Sequence, residues 1–143
     1  MQQKFITKSF GETQKLGKDF AKKILESSTK NRTIVFGLSG NLGGGKTTFL
    51  QGFAKGLGIK EKILSPTFVI MKRFDNFYHF DCYRIAKPEE ILELDFKNII
   101  KNPKNIVAIE WPEKIKKVLP KNIVSIKFKF INKNKREISI NKF

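Results

Sequence analysis

The sequence predicts an α/β fold around a mixed, mostly parallel central sheet. Three observations predict it. The apolar run TIVFGLS (33–39) leads straight into a glycine-rich loop and then a helical pattern. Strand-like and helix-like segments alternate along the chain. Two further pairs of segments alternate apolar and polar residues in the manner of hairpins.

Taken in order, KFITKSF (4–10) reads as a short alternating strand, and Ser9 to Glu12 has the S-x-x-E spacing of a capping box. A helix is expected to follow, with Leu16, Phe20, Ala21, Ile24 and Leu25 on one face. TIVFGLS suits a strand covered on both faces of a parallel sheet, because it offers no polar side. Thr48 to Leu57 carries Leu50, Phe53, Ala54 and Leu57 at helical spacing, with Gly58 placed to terminate the helix. FVIMKRF (68–74) and FYHFDCY (77–83) read as strands joined by an Asp75-Asn76 turn. Pro88 opens PEEILEL (88–94), where two acids suit the positive end of a helix. NIVAIE (105–110) is a second buried-strand run, and VSIKFKFI (124–131) with REISINKF (136–143) reads as a C-terminal hairpin.

At 143 residues the chain is expected to form one domain over 1–143. A hydrophobic content of 40% with fourteen Phe describes a globular chain, not a disordered one. The single cysteine, Cys82, excludes an internal disulfide and fits a reducing compartment. The opening MQQKFITKSFGETQK has no apolar signal core, and no run approaches the ~18 apolar residues of a membrane span. A cytoplasmic protein with no membrane partner is the expectation. The formal charge of +16 would suit a polyanionic partner. An AT-rich coding sequence imposes the same abundance of Lys, Asn, Ile and Phe, so charge alone assigns nothing.

The chemistry concentrates in GNLGGGKT (40–47), which fits G-x-x-x-x-G-K-[ST] in its required setting, after a strand and before a helix. Glycines let successive N–H groups turn toward phosphate oxygens, and the helix adds its positive end. Lys46 is placed to reach the β- and γ-phosphates, and the Thr47 hydroxyl to ligate Mg²⁺. A P-loop NTPase-like three-layer sandwich follows. NIVAIE ends on Glu110, an apolar strand closing on an acid, as a Walker-B element does. In FYHFDCYR the strand period puts His79, Asp81 and Tyr83 on one face and Tyr78, Phe80 and Cys82 on the other. His79 reads as structural, Cys82 as core, and Asp81 as either a site acid or an ordinary one. Thr67 in SPTF (65–68) stands either in a plain turn or in a loop that senses the γ-phosphate. The N-K-x-D signature of guanine recognition is absent, since Asn132-Lys133-Asn134-Lys135 carries a lysine where the acid belongs; adenine is favoured.

GNLGGGKTT, LSPTF, YHFDCYR, KPEEI, IEWPE and VLP occur in that order. The series resembles the bacterial TsaE (YjeE) family, P-loop ATPases of tRNA threonylcarbamoyladenosine biosynthesis, over about Ser9 to Arg136. Three departures are small: Gly44 where Ala is usual, Asn41 where Asp is common, and Cys82 where Leu is usual. The resemblance implies ATP and Mg²⁺ as cofactors, slow hydrolysis by the chain alone, and action on a complex of TsaB and TsaD homologues, with tRNA met only inside that complex. It implies nucleotide binding by Asn41, Leu42, Gly43, Gly44, Gly45, Lys46, Thr47 and Thr48, with Gly43, Gly45 and Lys46 on the phosphates, and Mg²⁺ served by Thr47 and Glu110. It raises Asp81 and Thr67 to catalytic candidates beside Lys46 and Glu110, and matches Trp111 to a characteristic tryptophan. It places Ser9, Thr13 and Arg136 toward the nucleotide base. The alternatives are a small-molecule kinase and a basic RNA-binding module. The first lacks an arginine-rich lid segment, and the second lacks a basic aromatic platform, since most Phe fall at core spacing.

Overall fold

The run at 33–39 becomes β2 (Ile34–Gly40), and its side chains divide between two cores as a period of two requires. Phe36 and Leu38 join one cluster, and Val35 the other. The computed structural model describes residues 2–26, 31–40, 45–63 and 70–141. Around β2 lie β1 (Gln2–Thr7), α1 (Phe10–Glu26), α2 (Lys46–Gly56), β3 (Met71–Phe74), β4 (Phe77–Asp81), α3 (Phe96–Ile99), β5 (Ile106–Glu110), β6 (Val124–Asn132) and β7 (Lys135–Asn141). Two 3₁₀ segments, Pro88–Leu94 and Pro112–Val118, complete the described elements.

The strands form one sheet in the order β1-β7-β6-β2-β5-β4-β3. The inner pairings, β6–β2, β2–β5 and β5–β4, are parallel; β1–β7, β7–β6 and β4–β3 are antiparallel. The expected mixed sheet is therefore parallel in its core and antiparallel at its margins. Both hairpins form where the alternation placed them, with Asp75 in the left-handed region (φ 55°) at the β3–β4 turn.

Helices α1 and α2 cover one face over a phenylalanine-rich core in which Phe20 meets Phe36 edge-on at 5.4 Å and Phe53 meets Phe77 at 5.3 Å. The 3₁₀ segments and α3 cover the other face over Phe80, Phe96, Ile109 and Ile115. This gives the three-layer sandwich. PEEILEL forms a 3₁₀ segment, with the Glu90 carboxylate accepting the N–H groups of Ala86 and Lys87.

Glycines set the distance between α1 and α2. A Cβ on Gly17 would overlap the Phe49 carbonyl, one on Gly52 the Gln14 carbonyl, and one on Gly56 would lie 2.8 Å from the Lys18 carbonyl oxygen. The helices thus meet backbone to backbone. At the start of α1 the Ser9 hydroxyl accepts the Glu12 N–H at 3.1 Å, while Glu12 accepts from Lys8 at 2.8 Å, one residue earlier than a strict capping box. Leu25 does not join the buried face: it is 58% exposed, in the last turn of α1, where it borders a surface cavity.

Candidate functional site

The parallel register brings the predicted chemistry to one edge of the sheet. Leu38 of β2 pairs with Glu110 of β5, which pairs with Asp81 of β4. Both acids therefore stand at the C-terminal ends of their strands, beside the point where β2 runs into the glycine-rich loop, the usual ligand position in such sheets. Asn41, Leu42, Gly43 and Gly44 of that loop, and Thr67, lie outside the described residues.

Gly45 begins α2 in a left-handed conformation (φ 101°) that a side-chain-bearing residue adopts only under strain. No side chain caps the helix there, so its first N–H groups and their positive end remain for an anion. Thr47 and Thr48 follow half-buried in the first turn. Lys46 is buried; its Nζ donates to the Gly40 carbonyl at 2.9 Å and sits 4.0 Å from the centre of the Trp111 ring. Burial pulls its ammonium below the usual lysine range, against the opposing fields of Glu110, Asp81 and Glu113.

Trp111 directly follows Glu110 in a left-handed conformation (φ 58°). Its N–H donates to the Leu38 carbonyl at 3.2 Å and its ring packs 5.1 Å from that of Tyr83. Glu110 is buried, and its Oε2 lies 2.7 Å from Nε2 of buried His79. The Asp81 carboxylate accepts the Tyr83 N–H at 3.0 Å. Burial pushes its pKa up, and nearby Glu110 adds to this, while the Tyr83 N–H, His79 and Lys46 oppose it.

On the other side of the loop, a Cβ on Gly45 would lie 3.2 Å from Arg136 Cδ and 3.6 Å from Thr13 Cγ2, so both residues flank the start of α2. The Thr13 hydroxyl is 2.8 Å from that of Thr7 and donates to the Ser9 carbonyl. The Arg136 guanidinium lies 5.8 Å from the Phe10 ring and 5.9 Å from the Phe130 ring, which are 71% and 52% exposed. Its Nε is buried without a hydrogen-bond partner among the described residues.

The structure therefore groups Thr13, Gly45, Lys46, Asp81, Glu110 and Arg136, and puts the Ser9 hydroxyl to work as a helix cap. Sequence reading missed the bond between His79 and Glu110, the seat of Lys46 on Trp111, and the rings around Arg136. The period-two pattern that aligned His79 with Asp81 was the available signal for the first. A cavity of about 300 Å³ at the far end of the strands, bordered by Leu57, Phe74, Asn76 and Ile106, holds none of these residues.

Among the described residues no group of three or more His, Cys, Asp or Glu could hold a metal ion. A cation here would take few protein oxygens, those of Thr47 and Glu110, and complete its shell with phosphate and water. That donor set fits Mg²⁺, which keeps several waters and uses one or two protein oxygens beside substrate phosphates. The uncapped helix start and the buried Lys46 likewise fit a nucleotide's phosphates.

The family model described as threonylcarbamoyl adenosine biosynthesis protein TsaE matches residues 7–138. The chain belongs to the TsaE family. It is 37% identical over 135 residues to the tRNA threonylcarbamoyladenosine biosynthesis protein TsaE of Rickettsia typhi, covering 91% of each chain. To the TsaE protein of Bacillus subtilis it is 38% identical over 109 residues, 73% of this chain and 67% of that one. The crystal structure of Bacillus subtilis YdiB superposes with a TM-score of 0.77 at 29% identity, over 99% of this chain and 86% of the other. The family model's match spans the strand, loop and helix that bear Lys46 as well as the β4 and β5 ends that bear Asp81 and Glu110. No helix among the described residues is long and apolar enough to cross a membrane.

Proposed function

We propose that this TsaE-family chain, acting as a single domain over 1–143, binds and hydrolyses ATP with Mg²⁺. In this reading it is an accessory protein for threonylcarbamoylation of adenosine 37 in tRNAs reading ANN codons. The observation that carries the reading is the convergence of Lys46, Asp81 and Glu110 at the edge where β2 enters the loop. The names of the relatives at 37–38% identity supply the pathway.

In this reading the N–H groups at the start of α2 and the Lys46 ammonium hold the phosphates, and Thr13 and Arg136 border the remainder of the nucleotide. Thr47 and Glu110 serve Mg²⁺, which when bound neutralises charge across the phosphate oxygens. Asp81 is held beside Glu110 by the Tyr83 N–H and orients the attacking water. The sequence carries no arginine-rich lid segment of the kind a small-molecule kinase closes over its acceptor, which favours hydrolysis coupled to other proteins. TsaB and TsaD homologues are the partners, and tRNA is met within their complex.

The test is reconstitution of the modification with TsaB, TsaD and tRNA, with and without this chain, scoring repeated turnover. Repeated turnover that needs the chain and ATP is expected, with phosphate released in the absence of any small-molecule acceptor. Full turnover without the chain, or phosphoryl transfer to a metabolite in place of release, overturns the reading.

A further inference from the structure

Glu110 does not stand alone at the end of β5. His79 is 1% exposed, and its Nε2 lies 2.7 Å from Glu110 Oε2. The strand register explains how the two meet. His79 pairs with Ala108 and Asp81 with Glu110, so the imidazole crosses to the neighbouring strand and reaches one step forward. Ala108 is fully buried and small, and it leaves the path of the ring open. A larger side chain at that register position would occupy it.

The other ring nitrogen sharpens the reading. Nδ1 is buried and has no hydrogen-bond partner among the described residues. A histidine kept only to fill the core would have both nitrogens satisfied, or would be replaced by an apolar ring at no polar cost. Among the described residues the side chain has one polar partner, Glu110 Oε2. A carboxylate oxygen accepts, so Nε2 donates in this bond and Nδ1 is the unmatched nitrogen. The bond engages Oε2 and so restricts the rotation of the carboxylate about its own axis.

We propose that His79 is a positioning residue: it clamps the Glu110 carboxylate in the orientation that receives the nucleotide-bound divalent cation. The inference rests on the reading of Glu110 as a Mg²⁺-serving carboxylate. Groups that orient a ligating side chain typically contribute 10–100-fold in metal affinity. The clamp therefore acts on cation affinity, not on nucleotide binding without metal.

The experiment uses the full chain saturated with a non-hydrolysable ATP analogue and titrated with Mg²⁺, beside nucleotide binding measured in EDTA. His79→Met and His79→Gln are similar in length and differ in the terminal amide donor. The Met variant should need about tenfold more Mg²⁺ for half-saturation. The Gln variant should recover most of that loss, and both should bind nucleotide in EDTA like the parent. If Glu110→Ala raises the Mg²⁺ requirement and His79→Met does not, the clamp is wrong while the metal role of Glu110 stands. If Glu110→Ala leaves the requirement unchanged, the metal role fails and the inference falls with it.

A second measurement needs no variant. His79 is the only histidine in the chain, so its ring ¹⁵N signals are unambiguous. They should report a proton on Nε2, the nitrogen facing Glu110, and should shift when Mg²⁺ is added to the nucleotide-saturated protein. An Nε2 without a proton, or no response to Mg²⁺, sinks the proposal.

Discussion

The Lys46 ammonium lies 4.0 Å from the centre of the Trp111 indole and donates to the Gly40 carbonyl, so the lysine assigned to phosphates is held by the chain's own groups. Nucleotide must draw it away from a ring that immediately follows Glu110.

Trp111 is the only tryptophan, and its intrinsic emission should therefore change when nucleotide binds. Lys46→Met should show altered emission without nucleotide, no further response on adding it, and affinity lower by about 10–100-fold, the worth of a hydrogen bond to a charged group. Tryptophan emission reads the first two, and displacement of a labelled nucleotide reads the affinity. An unchanged titration in Lys46→Met removes the lysine from the site.

Glu110→Ala should retain most nucleotide binding and lose hydrolysis, measured as phosphate release. It should also melt several degrees lower, because it leaves His79 buried with neither nitrogen bonded, a cost of about 1–3 kcal/mol. Glu110→Gln keeps an acceptor for His79 and should recover the melting temperature without recovering hydrolysis. Equal melting of the two variants would separate the pair from stability.

These two predictions draw on features of unequal visibility in the sequence. The strand, loop and helix around Lys46 were legible because glycine spacing and apolar runs encode local backbone directly. Asp81 and Glu110 were legible as strand-end acids, but their alignment depends on register between β4 and β5, which no local pattern states. The bond from His79 to Glu110 joins residues 31 apart through that same register, so a lone histidine read as structural. Gly17, Gly52 and Gly56 carry no local signal of their role, because a close helix contact is a property of two segments at once. Leu25 fell on the apolar stripe of α1, yet it borders a surface cavity instead of packing into the core, which helical spacing does not reveal.

Those glycines give a prediction of unusual sign. In a solvent-exposed helix Gly→Ala stabilises by about 1 kcal/mol. Gly52→Ala should instead lower the melting temperature, since its Cβ would overlap the Gln14 carbonyl and force the helices apart, an overpacking cost of about 1–3 kcal/mol or more. Thermal denaturation decides it, and a stabilised Gly52→Ala would refute the contact.

Cys82 is fully buried, and burial pushes its thiol up to about 12. It should resist a thiol reagent in the folded protein at pH 8 and react promptly once denatured. The folded value lies above the ordinary one, so this group's stabilisation is complete below about pH 8.5 and is lost as pH rises toward 12, where the unfolded thiol ionises first. Alkaline melting curves of Cys82→Ala should lack that part of the decline, whose slope is at most about 1.4 kcal/mol per pH unit.

The backbone contact between α1 and α2 also has a mechanical meaning. One helix begins at Gly45, the proposed phosphate seat, and the other carries Thr13, whose hydroxyl is joined to Thr7 on the edge strand β1. With carbonyls of α1 resting on glycines of α2, and a carbonyl of α2 on Gly17, there is no slack between the helices for a small displacement to vanish into. A shift at the start of α2 would therefore bear directly on α1 and, through Thr13 and Thr7, on β1 at the margin of the sheet.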